Sequence, residues 1–75
     1  SLGDNQIIKF HEKLSSREFQ VMRMLVEGEG IKSIAGRLVI SPKTVSTYRS
    51  RILQKLGLQN NAELIKYAVK NDFIS

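Results

Sequence analysis

The sequence predicts an all-α protein, a compact four-helix domain containing a helix-turn-helix. Three observations carry that expectation. Ile31, Ile34, Ala35 and Leu38 follow the i, i+3, i+4, i+7 stripe of a helix buried along one side. Ser41 then supplies an N-cap and Pro42 the first helical position, where a missing N–H costs nothing. Only the three residues Val39 to Ser41 separate the two helices, which forces them to cross steeply. Strand signals are absent, because Val39-Ile40 is too short and is spent on the turn.

Taken in order, residues 1–13 read as the end of a linker and 14–75 as the domain. Ser1-Leu2 are set aside as an expression remnant. Ile7, Ile8 and Phe10 could pack back onto the domain, but the segment is too short to fold alone. His11 is the single histidine; between Lys9 and Glu12 it reads as a surface residue and carries no role.

The first helix is expected over 16–27. Ser15 and Glu18 make a capping box, each satisfying an orphan N–H, with Leu14 and Phe19 in the staple positions. Phe19, Val21, Met22, Leu25 and Val26 form its buried face, and Gly28 and Gly30 end it. The second and third helices are expected over 31–38 and 42–56, the fourth over 61–71.

The third helix carries the function. With positions about 100° apart, Val45, Ile52, Leu53 and Leu56 gather on one side as the core anchor. Opposite them stand Lys43, Thr47, Ser50, Arg51 and Gln54, with Ser46 and Thr44 at the edges. This face is small, polar and basic, and no bulky apolar group interrupts it. Such a face suits the major groove, where side chains must meet base edges. An ordinary solvent-facing helix would also be polar, but it would usually mix in Glu, and this one has none.

Two charges fall on apolar sides: Arg49 near Val45 and Ile52, and Glu18 between Met22 and Leu25. An unpaired buried charge is costly, so a Glu18–Arg49 pair fixing the third helix to the first is the economical solution. The alternative keeps Glu18 on its cap and lets Arg49 snorkel to solvent or to a phosphate.

The fourth helix starts with a box-like Asn60-Asn61-Ala62-Glu63 and has a narrow polar sector of Glu63, Lys66 and Lys70. Ala62, Leu64, Ile65, Tyr67, Ala68 and Val69 cover more than half its circumference. That apolar excess, represented by Tyr67 and Val69, is a candidate contact for a second copy, although a small domain could close over it.

Charge points the same way. The chain is formally +5, and all seven acids (Asp4, Glu12, Glu18, Glu27, Glu29, Glu63, Asp72) lie outside the segment Gly30–Ala62. Inside it lie Lys32, Arg37, Lys43, Arg49, Arg51 and Lys55. A basic cluster on a helix-turn-helix is the footprint of a DNA binder, since each neutralised phosphate releases counterions. A solvated basic face that binds nothing is the bland alternative. A chain this short is one domain, burying roughly 60–65% of its unfolded surface. With no Cys there is no disulfide framework or thiolate metal site, which suits a cytoplasmic protein. No metal or cofactor is implied, and no run approaches the ~20 apolar residues of a membrane span.

These residues resemble a known family. Leu14-Ser15-x-Arg17-Glu18, Gly28, Lys32-x-Ile34-Ala35-x-x-Leu38, Ile40-Ser41-x-x-Thr44-Val45 and Lys55-Leu56-Gly57-Leu58 look like the LuxR-type DNA-binding domain. The run from Ser41 to Arg51 is similar to NarL/FixJ-type response regulators. The resemblance covers residues 14 to about 70 with its spacings intact. It implies a transcription regulator's output domain whose third helix enters the major groove and whose fourth mediates dimerisation. Implied partners are double-stranded DNA, a second copy, an N-terminal phosphorylated receiver domain and RNA polymerase.

By the same resemblance, Ser46, Thr47 and Ser50 occupy base-reading positions. Lys43, Thr44, Tyr48 and Arg51 occupy phosphate-holding ones, with Lys32 and Ser33 as further backbone contacts. Two departures stand out. Some members place Lys or Arg where this chain has short hydroxyls, which reach base edges weakly or through water. Gly30 stands where Ser or Thr usually caps the second helix. Competing classes fare worse. There is no nucleophile–base set, glycine-rich phosphate loop or paired-carboxylate cleft for an enzyme. A helical adaptor has no reason to exclude Asp and Glu from residues 30–62.

Overall fold

The computed structural model describes residues 13–71. The expected linker, apart from Lys13, lies outside the described residues, as do residues 72–75. Within them the chain forms α1 (Ser16–Val26), α2 (Ile31–Leu38), α3 (Pro42–Leu56) and α4 (Asn61–Lys70), each bound within one residue of expectation.

Local chemistry sets these bounds. At α1 the Glu18 N–H donates to Ser15 Oγ at 3.1 Å and the Ser15 N–H to Glu18 Oε1 at 2.9 Å. Both arms of the capping box are therefore made. The chain leaves α1 through Gly28 at φ 95°, a left-handed backbone that glycine adopts without steric cost. Ser41 Oγ caps α3 by accepting the Thr44 N–H at 3.1 Å, ahead of Pro42. At α4, Asn60 Oδ1 accepts the Glu63 N–H at 2.9 Å, while Glu63 reaches back to the Gln59 N–H at 2.7 Å. α2 begins on Gly30 with no side-chain cap.

The turn between α2 and α3 is made in an unexpected way. Val39, a β-branched residue, closes α2 at φ 57°, ψ 48°, a conformation that costs an L-residue about 1–2 kcal/mol. Its side chain is 88% exposed. The Ile40 N–H then bonds the Ala35 carbonyl at 3.0 Å, and Ile40 packs against the core. The left-handed step at Val39 is what lets Ile40 turn inward within a three-residue connection.

α1 packs across α3 and also touches α2 and α4, while α2 packs on α3. Every helix contributes to one core. Val21 and Met22 come from α1, Ile34 from α2, Val45 and Ile52 from α3, and Leu64 from α4, all fully buried. Each such side chain contributes about 1.5–3 kcal/mol on leaving water. Phe19 is half-buried against this cluster instead of sealed in it, and Met24 joins the core in addition to the expected residues.

The apolar excess of α4 is partly absorbed. Leu64 and Ala68 are fully buried, and Tyr67 is half-buried against the core. Ala62, Ile65 (39%) and Val69 (55%) remain exposed, an i, i+3, i+7 stripe facing outward.

Candidate nucleic-acid interface

Val45 and Ile52 (0%) and Leu53 (8%) fix the rotation of α3 about its own axis. With that side sealed, Lys43, Thr44, Thr47, Ser50, Arg51 and Gln54 are exposed on the other, and Ser46 is half-buried at the edge. The structure thus brings the expected base-reading residues together with Lys43, Thr44 and Arg51 on one outward face. Tyr48 is half-buried and packed against the core. Lys32 and Ser33 are exposed in the first turn of α2, beside N–H groups that no side chain caps. Helix N-termini of that kind favour anions.

The six cations of the acid-free segment are not equivalent. Arg37 pairs with Glu29, and Lys55 Nζ lies 2.7 Å from Glu18 Oε1. Arg49 is half-buried and donates from Nη1 to Asn61 Oδ1 at 3.3 Å. Lys32, Lys43 and Arg51 are exposed and, among the described residues, have no acidic partner. These three are cations free for phosphate, and all three were expected to hold it.

The expected Glu18–Arg49 pair is corrected. Glu18 keeps its place in the α1 cap and takes Lys55, one turn beyond Ile52 on α3, as its charge partner. The physical reason is position, since an arginine reaches at least as far as a lysine: on α3 it is Lys55, one turn past Ile52, that meets α1 at Glu18. Burial raises the Glu18 carboxyl, but hydrogen bonds from Lys55 and the Ser15 N–H, with the Lys55 charge, outweigh it and hold it below its ordinary value. Arg49 ties α3 to the start of α4 instead, with its Nε buried and unpartnered among the described residues.

The hydroxyls of the outward face also differ. Thr44 Oγ1 lies 2.8 Å from Ser41 Oγ, within the cap of α3. Thr47 Oγ1 donates to the Lys43 carbonyl at 3.1 Å. Among the described residues no group of three or more His, Cys, Asp or Glu is placed to hold a metal ion. No helix there is long and apolar enough to cross a membrane.

A capped helix seated on the core by Val45, Ile52 and Leu53, presenting hydroxyls between unpaired cations, defines a helix-turn-helix DNA-binding domain. Residues 12–68 match the family described as bacterial regulatory proteins, luxR family. The chain belongs to that family; it is a DNA-binding domain of a transcription regulator, not an enzyme. Among curated proteins it is similar to the oxygen regulatory protein NreC of Staphylococcus aureus strains JH9, JH1 and USA300. Each is 39% identical over 61 residues, covering 81% of this chain and 28% of the relative. The chain therefore spans less than a third of the length of these relatives.

Proposed function

We propose that the chain reads duplex DNA sequence-specifically, with α3 in the major groove, as the output domain of a cytoplasmic two-component response regulator. Ser46, Thr47 and Ser50 meet base edges. Lys43, Thr44, Tyr48 and Arg51 hold phosphates along α3, and Lys32 and Ser33 hold them at the start of α2. The observation that carries this reading is the outward face of α3, where Lys43 and Arg51, exposed and without an acidic partner among the described residues, stand with Thr47 and Ser50, and Lys32 stands likewise at the start of α2. A receiver domain is the proposed neighbour of this one, since the chain spans only 28% of the oxygen regulatory protein it resembles, and RNA polymerase is a further proposed partner. Duplex binding by the 75-residue chain at low salt, falling steeply as salt rises, is the test. A chain that binds no duplex at any salt is an adaptor, and the reading fails.

Assembly belongs to the same proposal. Two copies meet about a two-fold axis through α4, over Ala62, Ile65 and Val69 with the outer part of Tyr67. This presents two α3 helices to half-sites about 10 bp apart. One flank of a short helix buries far less than the ~1,200 Å² of a stable interface, so the free domain is mostly monomeric and DNA drives the pairing. Because Tyr67 also packs on the core, the sharper variants are Val69→Glu and Ile65→Glu. Each should lower cooperative binding to a two-half-site duplex while single-half-site binding persists. Cooperativity that survives both, in a protein whose unfolding is unchanged, moves the dimer surface elsewhere.

A further inference from the structure

We propose that Thr47 reads a thymine through its side-chain methyl group and not through its hydroxyl. The inference rests on the reading that α3 enters the major groove. Thr47 Oγ1 donates its single proton to the Lys43 carbonyl at 3.1 Å, the residue one turn earlier in the helix. A threonine carries two heavy atoms on Cβ, and on a helix its χ1 choices are few. Once the hydroxyl is drawn back against the preceding turn, the methyl occupies a different staggered position. The residue itself is exposed on the outward face between Lys43 and Arg51. What Thr47 offers a ligand on that face is therefore chiefly an apolar group.

The major groove contains one apolar group that such a methyl fits, the C5-methyl of thymine. Ser46 and Ser50 differ. Among the described residues their hydroxyls have no intrachain partner, so both can donate to or accept from base edges or bridging water. The reading face then divides into two polar contacts and one apolar contact. A competing role survives in principle for Thr47, since its oxygen retains an acceptor lone pair that an adenine or cytosine amino group could use. Valine and serine separate the two roles, because valine keeps the methyl and serine keeps the hydroxyl.

The test begins with site selection from a randomised duplex library by the 75-residue chain. Each thymine of the preferred duplex is then replaced in turn by deoxyuridine, which lacks only the methyl. The expected result is a loss of about fourfold at one position in each half-site, the value of one buried methyl group. Thr47→Val should keep that sensitivity, and Thr47→Ser should bind the thymine and uracil duplexes equally. Sensitivity that persists in Thr47→Ser, disappears in Thr47→Val, or is absent from the unsubstituted chain overturns the inference. If that happens while Lys43 and Arg51 still govern the salt response, the major-groove reading stands and only the role of Thr47 falls. If the chain binds no duplex, both fall together.

Discussion

Replacing both Lys43 and Arg51 with Ala should weaken duplex binding about 60-fold at about 0.1 M salt, and for every sequence alike. The magnitude follows from counterion release. Each phosphate contact contributes a slope of ~0.9 in log affinity against log salt, so two lost contacts flatten it by ~1.8. At about 0.1 M salt that corresponds to roughly 1.8 log units relative to a 1 M reference. Arg37 is the internal control. It lies in the same acid-free stretch, but Glu29 already neutralises it, so Arg37→Ala should leave the slope nearly unchanged. Titration of one duplex at several salt concentrations, by anisotropy or gel shift, measures all three. If Arg37→Ala flattens the slope as much as Lys43→Ala, the sorting of cations by their acidic partners does not describe how this domain meets DNA. If the double variant changes sequence preference and leaves the slope alone, the roles on α3 are reversed.

That control exists because sequence distance and spatial distance part company in this chain. Counting acids along the sequence identified an acid-free segment correctly, yet Glu18 and Glu29 reach into it from outside. Glu29 is eight residues from Arg37, and Glu18 is 37 residues from Lys55. Helical periodicity placed Arg49 nearer the buried stripe than Lys55 and so favoured it as the partner of Glu18. Periodicity gives the direction of a Cβ about its own helix, not which neighbouring helix it faces: Lys55 meets α1 at Glu18, while Arg49 meets the start of α4 at Asn61. The signal that could have found it is the position of Lys55 one turn past Ile52, at the border of the core.

Helix boundaries were far more legible, for a corresponding reason. Ser15, Ser41 and Asn60 each accept an N–H three residues on, so their whole effect lies inside one turn of sequence. The outward face of α3 was legible too, because Val45, Ile52 and Leu53 fix its rotation and everything else follows from the helical period. Val39 was not legible. Nothing in a valine announces a left-handed backbone, and the position is set by the need to turn Ile40 into the core within three residues. Nor could the sequence distinguish Thr47 from Ser46 and Ser50, since a hydroxyl's partner is a matter of rotamer.

The Glu18–Lys55 pair should dominate the acid response of the fold. Glu18 is 4% exposed along its side chain and Lys55 42%, so one partner is buried and the other is half in water. Lys55→Met strands a buried carboxylate, but the Ser15 N–H still bonds it, so the expected loss is about 1–3 kcal/mol, below that of a fully buried pair. Adding Glu18→Gln should recover part of that loss. Coupling in the double-mutant cycle should exceed the ~0.2–1 kcal/mol of exposed pairs. The pH dependence gives an independent check of sign. In the wild type the Glu18 carboxyl is held below its ordinary value, so its contribution is fully present above that value. The contribution is then lost as pH falls through the depressed one. In Lys55→Met, burial is left with less opposition and raises the carboxyl, so protonation relieves the defect. The gap between wild type and Lys55→Met should therefore be widest near neutral pH and should close on acidification. Urea unfolding of both proteins from about pH 7 to about pH 3 measures it. A gap of constant width across that range would mean that Lys55 supports α3 by packing alone, with its charge irrelevant to Glu18.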